Sequence, residues 1–119
     1  MKKQECNEIQ AHTKKVEEIK QNLMAEEKLQ TVCRFFKVLG EPSRMKIVCA
    51  LQKGELCVYH IVEAVGGTQS AVSHQLRILK DSGVIRAKRV GQNILYSIAD
   101  GHVLEMVEAG ISHVDCKGE

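Results

Sequence analysis

A chain of 119 residues with 44% hydrophobic and 27% charged residues has the length and balance of one ordinary globular domain. Aromatics make up 3% and tryptophan is absent, so the core must be aliphatic, and chains of this kind often complete their core by dimerising. No apolar run approaches the roughly 18 residues of a membrane span.

The opening MKKQECNEIQAHTKKVEEIK lacks the apolar block of a signal peptide. A cytoplasmic protein is expected, with its five cysteines serving as thiols or metal ligands rather than disulfides. The net charge of +2 hides a segregation. Residues 31–99 hold ten basic and four acidic residues, whereas residues 100–119 hold one lysine and five acids. A basic middle suits a polyanion and an acidic end suits a cation.

Residues from about 4 to 39 read as helix, broken or loosened near the polar start. Residues 1–27 are expected as an N-terminal arm and 28–116 as the main domain. Leu29, Val32, Cys33, Phe36 and Leu39 fall at helical spacing, and Gly40 is a plausible C-cap. Pro42 opens a second helix, where a first-turn proline costs nothing, and Gly54 closes it. Cys33 and Cys49 fall on apolar faces and are expected in the core.

A third, short helix fits ELCVYHIVEAV, stopped by Gly66 and Gly67. Thr68 is an N-cap for a fourth helix, with Val72, Leu76 and Leu79 on one stripe. Gln69, Ser70, Ser73, His74, Arg77 and Lys80 lie largely off that stripe. Next, VIRAKRVGQNILYSI alternates as a β-hairpin around Val90-Gly91-Gln92-Asn93. A final helix follows from Asp100. The fold class is mainly α with a small β-hairpin wing.

A short helix, a glycine turn and a second helix with an exposed polar face make a helix-turn-helix pattern. Gln, Ser and Arg side chains near the start of the second helix are what major-groove reading requires. Gln69, Ser70, Ser73, His74 and Arg77 are the expected readers. Lys88, Arg89, Gln92 and Asn93, with Arg86, suit a wing that grips phosphates. An ordinary solvated helix and hairpin is the plainer alternative.

The stretches LGEPSRMKIVCAL, ELCVYHI, QSAVSHQLRILKDSGVIRAKRVGQNILYSI and the terminal Asp-Gly-His, His and Cys resemble the ArsR/SmtB family of winged-helix metal-sensing repressors. The resemblance spans roughly residues 28 to 116. It implies a winged helix-turn-helix homodimer that represses its operon until an ion or another inducer releases it from double-stranded operator DNA. Neither a membrane nor a small-molecule substrate is expected as a partner.

Asp100, His102, His113 and Cys116 are residue types that bind transition metals. Helix rise separates His102 from His113 by roughly 16 Å, too far for one ion. His113 and Cys116, three apart, can share a metal, and Asp100 lies close to His102. Both pairs meet one ion only if a second copy runs antiparallel, which gives two sites per dimer. The spacing also matches the family's terminal-helix site, where the last ligand is often His or Glu rather than Cys. One thiolate in a four-ligand set favours zinc, with cobalt, cadmium or nickel as alternatives. In some relatives the distal ring nitrogen of a liganding histidine bonds the recognition-helix region, and His113 would be that donor here. The plainer alternative leaves Asp100 as a cap, His113 facing solvent and Cys116 in a frayed tail.

Cys57 and His60 are also three apart, on the third helix, and relatives add ligands there from the partner's N-terminal extension. Cys6 and His12 are the candidates in this chain. Tyr59 stands where the cadmium-sensing branch has a second thiolate, so a core Cys57 and a solvated His60 remain the alternative. A different reading pairs Cys49 with Cys116, which resembles the family's sulfur- and redox-sensing branch. A small zinc or thiol enzyme would need a substrate pocket or an open-site ligand triad, and the sequence displays neither. A DNA-architectural protein with structural zinc would keep its DNA affinity with and without metal.

Overall fold

Among the described residues, six α-helices and three short strands follow one another as α1 (Lys3–Asn22), α2 (Glu26–Leu39), α3 (Pro42–Ala50), β1 (Leu56–Cys57), α4 (Val58–Val65), α5 (Gln69–Asp81), β2 (Ile85–Val90), β3 (Asn93–Ile98) and α6 (Gly101–Lys117). The computed structural model describes the backbone of residues 3–117 and the side chains of residues 10–116. The chain divides into two compact units, Met1–Val32 and Cys33–Glu119.

In the first unit the helix break falls at residues 23–25, not near the polar start. In the last turn of α1 the Asn22 side-chain amide donates to the Glu18 carbonyl at 2.8 Å. Glu26 and Glu27 then place negative charge in the first turn of α2, where the helix dipole favours it.

The second unit is organised around an aliphatic core. Ile47, Val48, Leu51, Ile61, Leu76, Leu79 and Val84 are fully buried, joined by Val72, Ile85, Val103 and Val107. Each fully buried Leu or Ile contributes about 1.5–3 kcal/mol of transfer free energy. The stripe expected on the fourth helix is the buried face of α5. Helix α3 begins at Pro42, behind Glu41, whose carboxylate accepts the Arg44 N–H at 3.1 Å. It passes into a 3-10 turn, Leu51–Lys53, before Gly54 ends it.

Three sequence expectations need correction. The third helix starts only at Val58, because Leu56 and Cys57 are drawn into an antiparallel sheet opposite Tyr96 and Leu95. Pairing with β3 satisfies backbone groups that a helix start would leave open. Cys57 is therefore the residue before α4 and not within it. The α2 stripe is largely uncovered: Phe36 is 52% exposed, and Leu29 and Cys33 are exposed as well. Cys33 is thus not a core residue, whereas Cys49 is half-buried and packs against the core as expected.

The hairpin forms as expected. Ile85 pairs with Ile98 and Val90 with Asn93, leaving Gly91 and Gln92 as a two-residue turn. Gly91 has φ +63°, as a type II′ turn requires of its first residue. The sheet order is β1-β3-β2.

Candidate nucleic-acid interface and metal-binding helix

The turn between α4 and α5 is built on Gly66 and Gly67, at φ +83° and +87°. A side chain at either would be strained, so these glycines make the abrupt change of direction possible. Thr68 then caps α5, its hydroxyl accepting the Ala71 N–H at 3.1 Å. Burial of Val72, Leu76 and Leu79 fixes which way the helix faces, and Gln69, Ser70, Ser73, His74, Arg77 and Lys80 are left exposed together. Gln75, absent from the expected set, turns away from that face and bonds to α3.

In the wing, Arg86, Lys88, Arg89, Gln92 and Asn93 are exposed. Strand alternation puts Arg86 and Lys88 on one face of the ribbon and Arg89 on the other. Lys88 lies 3.8 Å from the Glu55 carboxylate, an exposed pair that salt screens and a phosphate can replace. Arg89 Nε donates to the Gly91 carbonyl at 3.4 Å, which keeps its side chain near the turn.

Helix α6 presents its metal-ligand types at its two ends. Asp100 Oδ1 accepts the backbone N–H groups of His102 at 2.9 Å and Val103 at 3.2 Å, so Asp100 is a helix cap. The same oxygen lies 3.5 Å from His102 Nδ1, and the His102 side chain is 89% exposed. Capping occupies one carboxylate oxygen and leaves the other open to a ligand. His113 and Cys116 are both exposed at the far end. Among the described residues, no three metal-ligating side chains of one chain come together. Each end offers two.

Cys57 Sγ and His60 Nδ1 approach to 3.5 Å, so these two do converge. His12 lies in the first unit and is exposed, and Cys6 has a side chain outside the described residues. Cys49 lines an apolar cavity of about 530 Å³ with Phe36 and Leu39 of α2, Met45 of α3, and Met106 and Ile111 of α6. Cys116, on the same helix as Met106 and Ile111, is exposed. No helix is long and apolar enough to cross a membrane among the described residues.

The family model for bacterial regulatory proteins of the arsR family matches residues 41–87. A transcriptional repressor SmtB homolog from Synechocystis is 36% identical over 109 residues, covering 92% of this chain and 83% of its own length. This chain belongs to the ArsR/SmtB family. A CadC homolog from Staphylococcus aureus, a cadmium resistance transcriptional regulatory protein, is 33% identical and covers 95% and 93% of the two chains. In structure, the homodimeric winged helix-turn-helix DNA-binding domain of Mb0332 from Mycobacterium bovis superposes with a TM-score of 0.71 at 29% identity, covering 79% of this chain and 90% of that one. This ArsR/SmtB chain is therefore a winged helix-turn-helix regulatory protein, not an enzyme, with α4–α5 as the helix-turn-helix and β2–β3 as the wing.

Proposed function

We propose that the chain is a zinc-responsive transcriptional repressor that binds operator DNA as a homodimer and lets go when metal occupies α6. Helix α5 enters the major groove with Gln69, Ser70, Ser73, His74 and Arg77 toward base edges. Lys88, Arg89, Gln92 and Asn93 hold the flanking phosphates. The partner protomer covers the apolar cavity walled by α2 and α6.

The observation that carries the metal reading is the split donor set of α6. Asp100 with His102 and His113 with Cys116 are exposed pairs at opposite ends, and neither completes a four-ligand site alone. Asp100 and His102 of one protomer with His113 and Cys116 of the other would hold one ion. One carboxylate, two imidazoles and one thiolate suit zinc, with cobalt, cadmium and nickel as competitors. Bound zinc would supply a bridge that favours one arrangement of the two protomers. His113 would orient toward the recognition-helix region through its free ring nitrogen. Cys57 and His60, at 3.5 Å, support a second site, for which the partner's N-terminal arm would offer Cys6 and His12.

The test is DNA affinity of the reduced protein by fluorescence anisotropy, on the promoter next to its own gene, with zinc titrated against a chelator. The proposal expects affinity to fall with zinc in the native protein and to stay constant in His113→Ala. A zinc-insensitive protein that loses affinity with oxidant or persulfide would instead act through Cys49 and Cys116. Half-buried Cys49 beside α6 favours that second reading.

A further inference from the structure

Five groups around the start of α3 form a closed chain of hydrogen bonds that reaches the recognition helix. Arg44 Nη1 donates to Gln75 Oε1 at 3.1 Å, and Gln75 Nε2 donates to Ser43 Oγ at 2.9 Å. The Ser43 hydroxyl donates to Glu41 Oε2, which also accepts the Arg44 N–H at 3.1 Å. Arg44 Nε donates separately to the Val38 carbonyl, at 2.8 Å, in the last turn of α2.

Donor and acceptor chemistry permits only one direction around this ring. Arginine has no acceptor, so the Gln75 oxygen must face it and the amide nitrogen must face Ser43. Glu41 is held below its ordinary carboxyl pKa, first by the Ser43 hydroxyl, so it stays an acceptor at neutral pH. The single Ser43 proton therefore goes to Glu41, and Ser43 Oγ is free to accept from Gln75. Both polar atoms of the Gln75 side chain are engaged within the protein. The guanidinium that holds Gln75 also holds α2 beside Leu39, which faces α6 across the apolar cavity.

We propose that Arg44 and Gln75 are positioning residues: they set the placement of the recognition helix and tie it to the end of α2, while Gln75 itself reads no base. The inference rests on α5 being the DNA-reading helix. Gln75 lies one residue from His74 and two from Ser73 and Arg77, so a small rotation of α5 would misalign all three. Released from the ring, α5 would keep its apolar stripe but lose the two hydrogen bonds that Gln75 makes to α3.

The experiment uses the full chain, metal-free, with Gln75→Met, Ser43→Ala and the double variant, each checked for native far-UV circular dichroism. Promoter affinity is expected to fall roughly 2- to 30-fold in each, the usual range for a coupling network. The double variant should lose little more than Gln75→Met alone, because both open one ring. Losses should be alike at every base pair of the site. Unchanged affinity in Gln75→Met would overturn the proposal, as would a loss confined to one base pair with Ser43→Ala silent. Hydrogen exchange of the α5 amides without DNA supplies a second readout, expected to quicken in Gln75→Met and to refute the clamp if unaltered. A native protein that binds no promoter would sink the DNA-reading assignment instead, and the exchange result would still judge the clamp.

Discussion

Helices α5 and α6 make an instructive pair. Helix α5 buries three residues spaced over two turns, is capped by Thr68 and is pinned to α3 through Gln75. Helix α6 buries only Val103 and Val107 near its start, and from Glu108 to Cys116 every residue is exposed. One helix is fully specified inside its own chain. The other leaves apolar Ile111 and Val114 exposed and carries Asp100 with His102 at one end and His113 with Cys116 at the other. In the proposed function the internally held helix is the one offered to DNA, and the helix left uncovered is the one offered to a partner and a metal.

The contrast can be broken most forcefully at Leu76, which is 1% exposed. Leu76→Ala should cost about 2–5 kcal/mol in urea unfolding, whatever the protein concentration. Val114→Ala, at a residue 66% exposed, should cost under about 0.5 kcal/mol at low concentration, and more only where dimers form. A large, concentration-independent cost at Val114 would erase the distinction between the helices.

Zinc in hundredfold excess over its dissociation constant should stabilise the native protein by about 2.7 kcal/mol. Cys116→Ser and Asp100→Asn should both blunt that gain in thermal unfolding, because each removes one ligand of the proposed shared site. Asp100→Asn keeps a capping oxygen, so its metal-free stability should barely change. Equal losses with and without zinc would reduce Asp100 to a cap.

A smaller effect is expected at the start of α5. Thr68→Ala removes the acceptor for the Ala71 N–H and should cost about 1 kcal/mol. The smallest concerns pH. The folded Glu41 pKa lies below its unfolded value, so its contribution is present above the ordinary carboxylate range. It disappears as pH falls through the lowered folded value. Glu41→Gln should therefore melt below the native protein at neutral pH, and the gap should close in acid.

Much of the fold was legible in the residues. Pro42, Thr68 and the stripe of Val72, Leu76 and Leu79 placed α3 and α5, since caps and 3.6-residue periodicity act over a few positions. The hairpin turn at Gly91 was legible for the same reason. Strand β1 was not, because two residues carry no periodicity and their pairing partners lie some forty positions away. The ring through Glu41, Ser43, Arg44 and Gln75 also escaped notice, as it joins residues 31 and 32 positions apart. Of the candidate site, the sequence offered residue types and spacings. The sequence left Asp100 open as a cap or a ligand, and its bonds to the His102 and Val103 N–H groups show that it caps α6.

The sequence by itself determined α3, α5, the wing, the charged faces and the placing of Asp100 with His102 and of His113 with Cys116 at opposite ends of α6, because each depends on near neighbours along the chain. Tertiary structure alone decided that Cys57 belongs to a sheet, that the α2 stripe stays uncovered, and that Gln75 faces inward to Arg44. Those outcomes depend on which distant segments meet, and burial and hydrogen-bond pairing select among meetings that local pattern leaves equivalent.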